Sequence, residues 1–399
     1  MTSTYSTDIV IFGGGVAGLW LLNRLRKEGF HAILLEAHTL GGGQTIASQG
    51  IIHGGLKYAL SGSFSATAEA IADMPARWRQ CLQGEGDIDL RGCCLRSENY
   101  YMWSEAGFRS RLKTFLGSKS LRGRVEAVDK SAYPEFFKRA TVAGTLYQLP
   151  DFVIDTESLL AELVRKQEHH IYRIDAESLV FSRNDRGDID HLTVSNGVDS
   201  LRIESRQFIF CAGEGNEGLV SRAGLLKPQS QIRPLHMVYV KKPGLPALYV
   251  HCIGDSFSLT PKLTITSHAA ADGSTVWYLG GELAETGVER NAAEQVAAAT
   301  ALVQELFPWL DLGDAQWDCF TINRAEAKLG NKFRPDDALY IEEANVLVAW
   351  PTKLTLAPSL ADKLIEHLAA KSITPIAKAN TVELNKLLGQ PEIATAVWN

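Results

Sequence analysis

Apolar positions recur in three rhythms along this chain, and each rhythm predicts a different element. The first is the solid run. Ile9-Val10-Ile11-Phe12 follows Asp8 without polar alternation, as in a strand buried on both faces. It breaks into Gly13-Gly14-Gly15-Val16-Ala17-Gly18, continues as an amphipathic stretch over 19–27, and returns to Ile33-Leu34-Leu35, which ends in Glu36. The order predicted is strand, glycine turn, helix, strand. Further strands of this kind are expected at 179–181, 206–210 and 345–350.

The second rhythm is helical. Over 65–82, Ala, Ile and Met share one face and Arg77 and Arg79 another. Pro75 should kink that helix or split it. A helix over 156–166 takes Asp155 as its N-cap, with Glu157 favourable in the first turn. Others are expected over 291–306, stopped by Phe307-Pro308, and over 358–371, opened by Pro358. The third rhythm consists of β-branched and aromatic runs at 236–240, 247–252, 262–267 and 275–280, broken by Pro, Gly and Asp. They predict an antiparallel sheet that resumes at 316–324. Strands at 92–102 and 144–149 belong to the same second sheet. The two layers alternate along the chain.

The glycine turn carries the first chemistry. Gly13 permits a tight strand-to-helix turn, Gly15 lets backbone approach a pyrophosphate, and Gly18 lets the helix lie close on the strand. The helix N-terminus offers free N–H groups and the positive end of its dipole. Glu36, about 20 residues on, can accept both hydroxyls of an adenosine ribose. Such a unit binds a dinucleotide. The small-residue segment that follows, Gly41-Gly42-Gly43-Gln44-Thr45-Ile46-Ala47-Ser48-Gln49-Gly50-Ile51-Ile52-His53-Gly54-Gly55-Leu56-Lys57-Tyr58, selects a flavin dinucleotide. Small residues can run close along an extended FAD, with Thr45 and Ser48 as donors to phosphate oxygens.

At this point the chain resembles the FAD-dependent oxidoreductases of the D-amino-acid oxidase, glycine oxidase and sarcosine oxidase superfamily. The string Ile52-His53-Gly54-Gly55-Leu56-Lys57-Tyr58 is similar to flavin-linked glycerol-3-phosphate dehydrogenase and to the L-2-hydroxyglutarate dehydrogenases. The resemblance implies an α/β fold, a Rossmann-like FAD-binding domain interwoven with an antiparallel-sheet substrate domain. The first would comprise 1–65, 146–225 and 326–399, and the second 66–145 and 226–325. It also implies FAD contacts from Gly13, Gly15, Val16, Ala17, Gly18, Glu36, Ala37, Gln44, Thr45, Ser48, Gln49, Gly50 and Ile52. The strand 179–181 would touch the adenine through its backbone, at Val180. Cys211, Ala212 and Gly213 would form the second glycine motif, closing over the pyrophosphate. Thr352, Lys353, Leu354 and Thr355 resemble the Lys-Leu-Thr loop of the glycerol-3-phosphate enzymes. Thr352 stands where that loop has glycine, and Pro351 before it lacks an N–H.

In such an enzyme the flavin carries the redox step, and the protein supplies binding, orientation and electrostatics. His53 is the candidate base, since imidazole takes a proton near neutral pH. Lys57 matches a basic position of the same motif. Arg324 occupies the place of the family's carboxylate clamp, with Arg334 as the alternative; a guanidinium fork suits carboxylate or phosphate. Lys353 would face the flavin N1/O2 region or grip the substrate anion. No metal ligand set is expected.

Composition narrows the rest. The chain has 399 residues, 45% hydrophobic and 22% charged, with a net charge of −6. That suits a soluble globular protein and argues against general nucleic-acid binding. Without 18 consecutive apolar residues, no membrane span is expected. The first apolar run is used as a strand, so no secretory signal is expected. The six cysteines lack a Cys-x-x-Cys pair and point to a reducing cytoplasm, with peripheral attachment to the inner membrane face left open. The expected activity is hydride transfer from a small anionic hydroxy compound, a 2-hydroxy acid or polyol phosphate, to flavin N5. An amine or amino-acid oxidase and a flavin-binding redox sensor without turnover remain alternatives. The electron acceptor, whether oxygen, quinone or protein, is not specified.

Overall fold

The computed structural model describes residues 3–55, 66–105, 125–254, 260–330, 335, 337–376 and 382–399. The first apolar run becomes a strand, Ser3–Phe12, inside an eight-stranded sheet. It pairs in parallel with Ser200–Phe210 on one side and Ala32–Glu36 on the other, and Ala32–Glu36 pairs in parallel with Ile171–Arg173. Val346–Trp350 continues the parallel set beside the end of Ser200–Phe210. Three antiparallel strands, Val180–Arg183, Ile189–Ser195 and Leu339–Glu343, complete the sheet. Both faces are covered, which explains the unbroken apolar runs. Ile9 and Ile11 enter a core with Trp20 and Leu364 on one side, and Val10 and Phe12 enter a core with Phe208 and Phe210 on the other.

A second eight-stranded sheet lies across the cavity from the first. Its spatial order is Gln316–Ala327, Ser230–Lys242, Thr275–Gly280, Leu263–Ala269, Val250–Ile253, Tyr100–Glu105, Gly144–Leu149 and Glu126–Ala127. All its pairings are antiparallel except Val250–Ile253 with Tyr100–Glu105, where strands from two distant parts of the chain meet. Gln49 and Tyr278 tie the two layers together. The Gln49 amide donates to the carbonyls of Tyr278 (2.8 Å) and Thr264 (3.3 Å), and the Tyr278 hydroxyl donates to Ala47 O (2.7 Å).

A small third sheet decides the site. Ile51–Ile52 and Leu95–Ser97 flank Phe152–Ile154, both antiparallel. The strand expected over 92–102 is therefore two strands in two sheets. A tight turn divides them, with the Ser97 hydroxyl donating to Asn99 O at 2.7 Å.

The helices follow their caps. Asp155 accepts from Ser158 N (2.8 Å) at the start of Thr156–Arg165. Asn291 and Glu294 form a reciprocal capping box at Ala292–Leu306. Of the two outcomes expected at Pro75, the split does not occur: Ala66–Gln83 runs as one helix through it. Trp78 explains this, since its ring packs on Trp20 at 4.6 Å and its indole N–H donates to Thr355 O (3.0 Å), anchoring the half after the proline. Among the described residues no helix is long and apolar enough to cross a membrane.

One buried and one half-buried histidine predict acid sensitivity. Burial pushes His170 down to about 4, helped by the Arg26 cation, and pushes His268 down to about 4 as well. The unfolded chain, titrating near the ordinary value of about 6.5, binds more protons than the fold between those limits, so stability is present above pH 6.5 and falls toward pH 4. Thermal melts should show a lower Tm at pH 5 than at pH 7. An unchanged Tm over that window would mean that these imidazoles stay solvated.

Candidate active site

The glycine turn is built as the motif requires. Gly13 sits at φ +101°, and a Cβ there would lie 2.5 Å from Ala212 Cα, so the two glycine motifs touch backbone to backbone. A Cβ on Gly18 would lie 2.0 Å from Gly13 O, so this glycine serves the approach of helix to strand and does not face the cavity. Gly15 caps Val16–Lys27, and the Thr45 hydroxyl accepts from Val16 N (3.0 Å). The following amides of the first turn have no partner within the helix. Glu36 ends its strand with its carboxylate accepting from Gly14 N (2.5 Å) and His38 N (2.7 Å).

These elements open into a cavity of about 740 Å³ between the two large sheets. Of the residues expected at a cofactor, its wall contains Gly13, Gly15, Val16, Ala17, Glu36, Ala37, Gln44, Thr45, Ser48, Gln49, Gly50, Cys211, Ala212, Gly213, Thr352, Lys353 and Leu354. His53 and Arg324 also line it. Gly18, Ile52, Val180 and Thr355 do not. Val180 is 57% exposed on an edge strand, and its neighbour Leu179 lines the wall with Ile174 and Ala176. Ile52 is buried in the core. Thr355 works from behind: its hydroxyl accepts from His53 N (2.9 Å) and donates to Ile51 O (3.3 Å), which fixes the His53 loop. Lys57 and Arg334 lie outside the described residues.

The far wall comes from Trp350 to Leu354. Lys353 N donates back to Pro351 O (2.7 Å), a three-residue turn whose centre, Thr352, has φ +61°. A β-branched residue in that region is a strained outlier, and such strain collects at functional sites. Thr352→Gly should therefore raise stability by about 0.5–1 kcal/mol, the left-handed penalty less the extra chain entropy of glycine. Denaturant unfolding checks this, and a loss of stability would mean that the threonine side chain holds the turn.

Arg324 reaches the wall from Gln316–Ala327, with Glu285 3.5 Å from its guanidinium. Arg233 stands opposite it in the ladder, so both side chains leave one face of the sheet. Pattern reasoning passed over Arg233, and also over Asn216, which accepts from Ala212 N (2.8 Å) and donates to Ala349 O (3.3 Å), joining the second glycine motif to the last parallel strand. It also passed over Asp151. This buried carboxylate accepts from Gly54 N–H (2.8 Å) and from His53 Nδ1 (3.2 Å).

The wall suits a phosphate-bearing group. Ser48 Oγ is buried without a hydrogen-bond partner among the described residues. An orphaned hydroxyl costs about 1–3 kcal/mol, which a phosphate oxygen would relieve. The relatives agree. The family model described as FAD-dependent oxidoreductase matches residues 8–364. A "probable FAD-dependent oxidoreductase" of Pseudomonas aeruginosa, PA4991, is 42% identical over 399 residues, covering 100% of this chain and 99% of that one. Its crystal structure superposes with a TM-score of 0.85, again over 100% and 99% of the two chains. L-α-glycerophosphate oxidase of Mycoplasma pneumoniae, solved with FAD bound, gives a TM-score of 0.64 at 14% identity over 91% of this chain and 95% of that one. Glycine oxidase of Geobacillus kaustophilus gives 0.66 at 17% over 95% and 98%. These last two share the fold. With family model, full-length relative and cavity in agreement, the chain belongs to the FAD-dependent oxidoreductases of the D-amino-acid oxidase family, and FAD is its cofactor.

Proposed function

We propose that this oxidoreductase acts on a small anionic hydroxy compound, a 2-hydroxy acid or a polyol phosphate. The observation that supports this reading is the His53 imidazole on a cavity wall that also carries two cationic side chains, Lys353 and Arg324. An alcohol must lose its hydroxyl proton as it is oxidised, whereas a neutral amine can be oxidised without a strong base. In this reading His53 takes the O–H proton, the carbon–oxygen bond becomes C=O, and the hydride leaves the same carbon. FAD, when bound, supplies the acceptor for that hydride. The first-turn amides of Val16–Lys27, with Thr45 and Ser48, would hold its pyrophosphate, and Glu36 its ribose. Ala212 and Gly213 would close over the phosphates. Lys353 and Arg324 hold and orient the substrate's acid group, and Trp350, buried at the wall, helps to exclude water.

Anaerobic bleaching of the visible flavin band tests this, with a panel of 2-hydroxy acids, polyol phosphates, and L- and D-amino acids. Bleaching by a hydroxy compound is the expected result. Bleaching by amines alone would transfer the assignment to an amine or amino-acid oxidase. A yellow protein that nothing in the panel bleaches would favour the redox sensor.

A further inference from the structure

Three side chains meet at the cavity wall, His53 on it and Asp151 and His251 behind. The register of the third sheet sets Ile51 opposite Val153 and Ile52 opposite Phe152, which puts His53 opposite Asp151 at the next step. The Asp151 carboxylate is 3% exposed, and its two oxygens are divided between His53 Nδ1 and Gly54 N–H. His251 comes from the other layer, with its ring within 7° of parallel to that of His53 and centroids 6.1 Å apart. Thr264, its ladder partner, holds His251 Nδ1 at 3.0 Å. Of the three, only His53 lines the cavity.

We propose that Asp151 is the positioning residue of this active site, holding His53 as the Nδ1–H tautomer so that Nε2 is the basic atom offered to the substrate. This rests on the reading of His53 as the base. A carboxylate can only accept from the imidazole, so Nδ1 must donate, and the remaining lone pair then lies on Nε2. The second oxygen, fixed by Gly54 N–H, prevents the carboxylate from turning away. In the oxidation, the substrate O–H proton passes to Nε2, the C–H bond gives up hydride to the enzyme's flavin, and a carbonyl is left. The imidazolium formed then sits beside the Asp151 carboxylate. Burial pushes His251 down to about 3, so this second ring brings no competing cation.

The same trio offers ligand atoms within 4.8 Å of one another, a spacing that also fits a three-ligand metal set. The hydrogen bonds already made at His53 Nδ1, both Asp151 oxygens and His251 Nδ1 favour the proton-handling arrangement.

The test is Asp151→Asn in FAD-loaded enzyme. The asparagine carbonyl can still accept from Gly54 N–H, but its NH2 then faces His53 and forces Nδ1 to accept. The His53 nitrogen signals, assigned by their loss in His53→Ala, should show bare Nε2 in the wild type and protonated Nε2 in the variant. Flavin reduction by whichever panel compound bleaches the enzyme should slow about 10²–10⁴-fold. An unmoved tautomer, or protonated Nε2 already in the wild type, overturns the role of Asp151. The wild-type spectrum decides this even if the variant does not fold. A moved tautomer with unchanged reduction overturns the base assignment instead. One equivalent of transition metal in the wild type, lost on substitution, would replace the proposal with a metal centre.

Discussion

Replacing His53 by alanine should slow flavin reduction by a hydroxy substrate about 10²–10⁴-fold, the usual contribution of a positioned general base. The effect should fall on chemistry and leave folding intact. The His53 side chain is 36% exposed, so its truncation leaves little core unfilled. Its loop is held by the backbone, through His53 N–H to Thr355 Oγ1 and Gly54 N–H to Asp151 Oδ1, and alanine retains both bonds. The flavin should remain bound and the fold intact, with a melting temperature only modestly lower, because the buried Asp151 carboxylate loses one of its two partners and keeps Gly54 N–H. Single-turnover reduction in a stopped-flow instrument isolates the step from acceptor chemistry. If reduction keeps its wild-type rate, His53 is a structural histidine and the hydroxyl proton leaves by another route.

Gly15→Val should yield a folded but colourless protein. Gly15 lies at φ −76°, ordinary for any residue, so valine imposes no backbone penalty. Its Cβ would lie 3.2 Å from Thr45 Oγ1, tight but adjustable. The two γ-methyls then enter the wall where a pyrophosphate must approach the first helical turn. Gly13→Val is the contrasting control. There the positive φ and the 2.5 Å approach to Ala212 Cα involve backbone that cannot move aside, so folding itself should fail. Flavin content per chain after gel filtration, with circular dichroism for the fold, separates the two. A yellow Gly15→Val protein would move the pyrophosphate away from this helix.

Both variants probe features that could be read from the linear chain. A solid apolar run implies a strand covered on both faces, and Ile9 to Phe12 divide between two cores. A glycine turn followed by a helix and an acid is a local instruction, because strand, turn and helix N-terminus are contiguous in the chain. The Asp155 cap acts within one turn of helix and was equally legible. Breakdown came where local rules met distant neighbours. Pro75 did not divide its helix, because Trp78 is held by Trp20 and Thr355 from two remote segments.

The sequence by itself therefore determined the layered α/β fold, the flavin as cofactor and most of the segments that line the cavity, since each rests on periodicity or on a short contiguous motif. Only the tertiary structure decided what those segments do to one another. Asp151 meets His53 because two short strands about a hundred positions apart pair in one register, and a slip of a single residue would point the carboxylate away. His251 joins them from the opposite layer, and Glu285 reaches Arg324 from another element. Such meetings depend on long-range packing, which no periodicity along the chain encodes.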